Sequence, residues 1–257
     1  MGRFDGYLIC SDIDGTLVDA AGRVPPANEE AIFRFQREGG LFTVSTGRYP
    51  QYAQRFGDRL RCNTLLICIN GTCLYDTDTQ RVVYSHPMDS DVLAVLRWVE
   101  RSCPCVNGIY LGIGLRGETA YPRTETGFHL PEHCSEPVYK AVLTMPAAAG
   151  DTFKAQMLAR FGDRYAMERS WAEGLELHAR GSGKGDAVRQ LRRLLPSVHT
   201  VVAVGDYEND LTMLEAADIG YAVANAIPSV KEAADRLTVS HNEGALAHII
   251  DDLARTV

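Results

Sequence analysis

Hydrophobic positions along the chain fall into short solid runs and longer stretches at helical spacing, and at both ends of the sequence the two kinds alternate. The run at 7–11 (Tyr-Leu-Ile-Cys-Ser) has the length and apolar character of a buried strand. A helix is predicted over 28–38, with Ala31, Ile32 and Phe35 at helical spacing and Gly39-Gly40 to stop it. A strand at 41–45, a polar helix at 51–60 and a strand at 65–69 follow. Each of these strands ends in a small polar cluster: Asp12-Ile13-Asp14-Gly15, Thr46-Gly47-Arg48 and Asn70-Gly71. The same texture returns from Gly181. A helix is expected at 186–195, then an apolar strand at 200–204 that runs into Gly205-Asp206. Helices at 211–217 and 229–234, strands at 219–223 and 237–239, and a closing amphipathic helix at 244–254 complete the pattern. Alternating β and α units of this length imply a parallel sheet covered by helices.

The middle of the chain reads differently. Segments 72–76 and 81–85 flank a polar turn as a hairpin, and Asp76 and Asp78 in that turn lack the glycine and later acids of a calcium loop. A helix at 89–101, strands at 108–115 and 138–145, a helix at 152–161 and strands at 164–168 and 174–178 make a strand-rich run with few helices. Such a run describes a separate α+β unit. The expected organisation is one α/β core over 1–83 and 181–257, interrupted by an inserted α+β domain at 84–180.

Composition narrows the class. Of the 257 residues, 46% are hydrophobic and 23% charged, as in a globular protein with a sizeable core. A net charge of −7 with no compensating basic run argues against a nucleic-acid surface. No apolar run approaches a membrane span, and no N-terminal stretch has the layout of a signal peptide. Seven cysteines at irregular spacing form neither a zinc pattern nor a redox pair, so a cytoplasmic location is expected. Gly112–Gly117 spells a dinucleotide fingerprint, but 118–122 after it opens no helix. His129, His133 and Cys134 sit in a Pro-bounded loop without paired ligand spacing.

The chemistry-bearing residues lie at the strand ends of the α/β part. Asp12 and Asp14, two residues apart at a strand end, are expected to face one site, and Gly15 frees the backbone to turn beside them. With them come Thr46, Lys184 at a helix start, Asp206 and Asp210. Four carboxylates, a hydroxyl and a lysine, without a placed His or Cys, suit Mg²⁺, a hard cation that takes one or two carboxylates plus substrate phosphate. Lysine in such a cluster would pair with phosphate or with a nucleophilic carboxylate. Together they describe phosphoryl transfer through an aspartyl-phosphate. Gly183-Lys184 fails as a phosphate-binding loop because Gly185 stands at the Ser/Thr position.

Taken in order, these pieces resemble the haloacid dehalogenase superfamily of phosphohydrolases over essentially the whole chain. Asp12-Ile13-Asp14-Gly15-Thr16 matches its first motif, Thr46 the second, Lys184 the third, and Gly205-Asp206 with Asn209-Asp210 the fourth. Thr46-Gly47-Arg48, Asn70-Gly71 and Ala224-Asn225-Ala226, with a large insert before the lysine, resemble the Cof-type subgroup with its type 2 cap. The resemblance implies a Rossmann-like core and a Mg²⁺-dependent phosphatase acting on sugar phosphates or related small metabolites. It implies Asp12 as nucleophile and metal ligand, and Asp14 as general acid and base, with its carbonyl on the metal. Thr46 and Lys184 would hold the phosphoryl group, while Asp206 binds Mg²⁺ with Asp210 and Asn209 behind it. Gly47, Arg48, Asn70 and Asn209 are the implied substrate-contact candidates, with Asn225 a further supporting one. A phosphomutase of the same superfamily and a receiver-like phospho-aspartate module are the alternatives. The acid at Asp14 and the inserted unit argue against the second.

Overall fold

The computed structural model describes residues 2–256, so the outermost residues of the expected core, 1 and 257, lie outside the described residues. The chain divides into two compact units. One is formed by the chain up to Tyr84 and from Lys184 onward, the other by Ser85–Gly183.

The first unit opens with β1 (Tyr7–Ser11), α1 (Pro26–Arg37), β2 (Leu41–Val44), α2 (Pro50–Leu60), β3 (Leu66–Cys68), β4 (Cys73–Asp76) and β5 (Arg81–Ser85), whose last residue begins the second unit. The second holds α3 (Val92–Ser102), β6 (Gly108–Ile113), β7 (Thr119–Pro122), β8 (Val138–Thr144), α4 (Gly150–Phe161), β9 (Tyr165–Trp171) and β10 (Gly174–Ala179). The chain then returns to the first unit through α5 (Lys184–Leu194), β11 (Thr200–Gly205), α6 (Leu211–Ala216), β12 (Ile219–Ala222), α7 (Pro228–Ala233), β13 (Arg236–Leu237) and α8 (Ala245–Ala254).

In the first unit a parallel sheet runs in the order β13-β12-β11-β1-β2. β1 sits between β11 and β2, with Leu8 opposite both Val201 and Leu41. Its residues Leu8, Ile9 and Cys10 have no exposed surface, which explains the solid apolar run: a central parallel strand is covered on both faces. From β1 the chain winds one way to β2, and from β11 it winds the other way to β12 and β13. The carboxyl ends of β1 and β11 therefore flank a topological switch point, where open α/β sheets bind ligands.

Two sequence expectations need correcting here. The third strand, β3, does not extend the parallel sheet as a full member. It pairs antiparallel with β4 in a separate three-stranded sheet and meets the main sheet only through a single parallel bridge between Ser45 and Ile67. The short β3 turns straight into the hairpin, which leaves no length for a second ladder. β1 also ends at Ser11, so Asp12 and Asp14 are placed by the turn that follows rather than by a strand's alternation.

The second unit is an antiparallel sheet in the order β7-β6-β8-β10-β9. Val92, Leu96 and Val99 of α3 and Phe153 and Met157 of α4 pack on Leu111, Leu143, Leu175 and Leu177 of the strands. β7 was not expected: it is an edge strand of mostly exposed residues ending in Pro122, with no apolar alternation to announce it. The Gly112–Gly117 stretch runs from β6 into the turn before β7, and no helix follows it.

Candidate active site

The site is built at the carboxyl ends of β1, β2 and β11. Directly after β1 the chain makes one wide turn over Ile13–Leu17, in which Gly15 adopts φ +86°. A side chain there would also collide with a carboxylate, since a Cβ built on Gly15 lies 2.5 Å from Asp206 Oδ2. Glycine is thus required both for the turn and for the approach of Asp206. Asn225 holds the turn from outside, donating to the Gly15 carbonyl at 2.8 Å and accepting from the His241 N–H at 3.0 Å.

Lys184, the first residue of α5, has no exposed surface. Its Nζ donates to Asp12 Oδ1 at 2.7 Å and to Asp210 Oδ1 at 2.6 Å. Asp210 is equally buried, and its second oxygen accepts from the backbone N–H groups of Asp206 and Tyr207 at 2.9 and 3.2 Å. The carboxylate of Asp210 therefore ties the lysine to the turn that carries Asp206. Gly205 permits this, because a Cβ there would lie 2.4 Å from Asp210. Asp206 accepts from Thr16 Oγ1 at 3.2 Å. Carboxylate oxygens of Asp12, Asp206 and Asp210 come within 4.8 Å of one another, the one such group of acidic, His or Cys side chains among the described residues.

Three carboxylates around one ammonium leave the cluster over-negative. Burial pushes the Asp12 carboxyl well above the usual range, with Asp210 and Asp206 adding to the effect and Lys184 opposing it. Burial likewise raises Asp206 to about 7, with the charge of Asp210 in support. Burial would lower Lys184, but Asp12 and Asp210 outweigh it and hold the ammonium above its ordinary value. The donors are all carboxylate oxygens, and their excess charge is what a small divalent cation neutralises. The residues fit Mg²⁺.

The remaining sequence candidates form a second group. Thr46 is buried, and its hydroxyl accepts the Arg48 N–H at 3.2 Å, which leaves the hydroxyl proton to donate elsewhere. Arg48 Nε donates to Asp14 Oδ2 at 3.3 Å, and about half of each of these side chains is exposed, 58% and 51%. Asp14 thus stands apart from the Asp12, Asp206 and Asp210 cluster, on the Arg48 side of the site. Asn70 Oδ1 accepts from Asn209 Nδ2 at 3.1 Å, and a Cβ on Gly47 would lie 2.9 Å from that same oxygen. Behind Asn70 the backbone is strained: Ile69, Asn70 and Gly71 all have positive φ, at 52°, 53° and 94°. For a β-branched residue such as Ile69 this is a genuine outlier. It is held by the Ile69 N–H donating to the Arg48 carbonyl and the Asn70 N–H to the Thr46 carbonyl, each at 2.9 Å. The strained turn therefore clamps the Thr46–Arg48 loop.

Sequence reasoning gave no role to Thr16 or Tyr52. Thr16 lies inside the first motif, where its spacing from Asp14 was the only signal. Tyr52 stands four residues after Arg48, whose guanidinium lies 5.1 Å from its ring centroid. The discarded motifs have structural explanations. Asp76 accepts hydrogen bonds from the Asp78 and Thr79 N–H groups as an ordinary turn, and His129 Nε2 pairs with Thr124 and Thr126 hydroxyls.

Comparison with known proteins places the chain among proteins of known family. A family model described as haloacid dehalogenase-like hydrolase matches residues 9–103 and 123–250. The chain is 32% identical over 265 residues to YxeH of Bacillus subtilis (strain 168), covering 96% of this chain and 97% of that protein. It is 26% identical over 269 residues to the pyridoxal phosphate phosphatase YbhA of Escherichia coli (strain K12), covering 95% and 97%. Among solved structures, the HAD subclass IIB sugar phosphatase BT4131 is similar with a TM-score of 0.78 at 20% identity, over 96% of this chain and 98% of that one.

Proposed function

The chain belongs to the haloacid dehalogenase-like hydrolases and is a phosphoric monoester hydrolase, and on that premise we propose that it hydrolyses small phosphate esters, sugar phosphates or related metabolites, with Mg²⁺ and through an aspartyl-phosphate on Asp12. The observation that carries this reading is the Lys184 ammonium held between Asp12 and Asp210, with Asp206 alongside, at the carboxyl ends of β1 and β11.

An anionic carboxylate must attack an anionic phosphate ester, and Coulomb repulsion opposes the approach. Lys184 removes part of that repulsion from the Asp12 side, and Thr46 has a hydroxyl proton to donate to a phosphoryl oxygen. When bound by Asp12 and Asp206, with the Asp14 carbonyl in support, Mg²⁺ supplies the remaining charge neutralisation at the phosphoryl oxygens. Asp210 keeps Lys184 and the Asp206 turn in place. In the first step an Asp12 oxygen bonds to phosphorus, the ester bond breaks, and Asp14 gives its proton to the leaving oxygen. In the second, Asp14 takes a proton from water as that water attacks phosphorus, and the bond to Asp12 breaks. Gly47, Arg48, Asn70 and Asn209 line the substrate side in this reading.

A cytoplasmic location goes with the reading, supported by seven free cysteines. Among the described residues no helix is long and apolar enough to cross a membrane. The test is phosphate release from a panel of sugar phosphates, pyridoxal phosphate and aryl phosphates. Turnover is expected with Mg²⁺ and none in excess chelator. Full activity in chelator would contradict the metal assignment.

A further inference from the structure

The catalytic unit carries an aromatic strip that the chemistry above does not use. Arg48, Tyr52 and Phe56 follow one another at four-residue intervals, with Tyr52 and Phe56 on one face of α2. The Tyr52 and Phe56 rings are 5.5 Å apart and tilted by 49°. Arg48 joins this strip to the reacting groups: its guanidinium lies over the Tyr52 ring while its Nε reaches Asp14. Tyr52 is only partly buried. Burial raises the phenol above its ordinary value, and the Asp14 and Asp12 charges add to that, so the ring stands in the field of both carboxylates.

Asp14 is the group assigned to protonate the leaving oxygen. Whatever is attached to that oxygen must lie next to Asp14, and so within reach of the Arg48–Tyr52 pair. A partly exposed ring with the Arg48 guanidinium over it and Phe56 beside it has little to offer an extended polyol. It offers a large contact to a flat ring, through stacking with a heteroaromatic or through the C–H face of a pyranose.

Resting on the phosphatase reading, we propose that Tyr52, backed by Phe56, is a specificity-determining contact that favours phosphate esters whose leaving group carries a ring over acyclic esters of similar charge. Arg48 then has two partners to orient, the carboxylate of Asp14 and the ring of Tyr52. A ring-bearing leaving group seated there is held at the atom that must receive the proton.

The experiment compares wild type, Tyr52→Leu and Tyr52→Phe on four probes: pyridoxal 5′-phosphate and a hexose 6-phosphate as ring esters, glycerol 3-phosphate and propyl phosphate as acyclic ones. The ratio of kcat/KM for ring over acyclic esters should fall about tenfold in Tyr52→Leu, mainly through KM, the size expected for one lost ring contact. Tyr52→Phe should keep most of the ratio, because the ring and not the hydroxyl makes the contact. A larger fall for the pyridine than for the hexose identifies the ring as heteroaromatic, and the reverse as a sugar. An unchanged ratio in Tyr52→Leu, with all four esters still turned over, overturns this inference and leaves the phosphatase intact. An equal loss on all four overturns it too, since that marks a purely structural role. No phosphate release by wild type from any probe overturns the phosphatase reading and this inference with it.

Discussion

Gly15 shows how much of the site depends on one missing side chain. Its positive φ and the 2.5 Å approach of Asp206 are two separate demands at one position. Gly15→Ala meets neither, and the left-handed backbone alone costs roughly 1–2 kcal/mol. The second demand falls on Asp206, which must move away. The expected result is a melting temperature lowered by a few degrees and an apparent Mg²⁺ requirement raised by about tenfold or more, read by titrating activity and metal binding. A variant with reduced stability and unchanged Mg²⁺ affinity would detach Asp206 from the metal. At this scale the types and order of the residues were legible: the sequence grouped Asp12, Lys184, Asp206 and Asp210, and these four side chains are in direct or near contact. The division of labour was not. Asp12 and Asp14 look equivalent as letters, yet one is buried on Lys184 and the other half-exposed on Arg48. That difference comes from a turn whose shape no periodicity encodes. Thr16 on Asp206 and Tyr52 under Arg48 escaped for the same reason, because each contact is made in space and has no pattern of its own.

Among the elements, those with a strong repeat were found and those without were not. β1 and β11 announce themselves as solid apolar runs because both faces are covered. β7, exposed and ending in proline, gave nothing to read. The run at 138–145 also hid something. Lys140 lies in it at 5% exposure, beside Glu176 at 3% and His178 at 0% on the neighbouring strand β10. Parity along β10 puts Glu176 and His178 on the face opposite Leu175 and Leu177, which belong to the core. Lys140 pairs with Glu118 and Glu176, and His178 Nε2 with Glu168 at 3.3 Å, while Nδ1 meets the Ser182 hydroxyl at 3.0 Å. Burial alone would lower the imidazole, but Glu168 and Glu176 together hold it above its usual value. A raised value in the folded state means that His178 adds stability in full below the unfolded imidazole range, near pH 6.5. That increment is lost as the pH climbs through the folded value. The melting temperature gap between wild type and His178→Gln should therefore narrow as the pH is raised from about 6 to about 9. A gap that stays constant or widens would show that the imidazole is neutral in the folded protein.

For the whole molecule, fold class was the most legible property, and the reason is physical. A parallel sheet needs long crossover connections and buries its strands on both sides, so the alternation of solid runs and amphipathic stretches is almost forced. An antiparallel sheet with helices on one face leaves a weaker trace, which is why the middle of the chain read only as strand-rich. The placement of β3 was not recoverable in this way, since a three-residue strand looks the same in either sheet. The order of the motifs carried the family, and the match over residues 9–103 and 123–250 agrees with it. What the fold does is to bring the ends of β1 and β11, almost two hundred positions apart in the chain, to one place where Asp12, Lys184 and Asp206 lie together.

The central claim is that Asp12 becomes covalently phosphorylated, and Asp14→Asn makes that state visible. This variant keeps the nucleophile but can neither protonate the leaving oxygen nor activate water, functions worth about 10²–10⁴ in rate. An activated aryl phosphate, whose leaving group needs little protonation, should still phosphorylate Asp12, and the adduct should then accumulate because its hydrolysis is slowed. Mixing Asp14→Asn with such an ester and Mg²⁺, quenching in acid and mapping the peptides by mass spectrometry should find one phosphoryl group on Asp12 and none in Asp12→Asn. A phosphoryl group on another residue, or steady turnover by Asp12→Asn at the wild-type rate, would contradict the account.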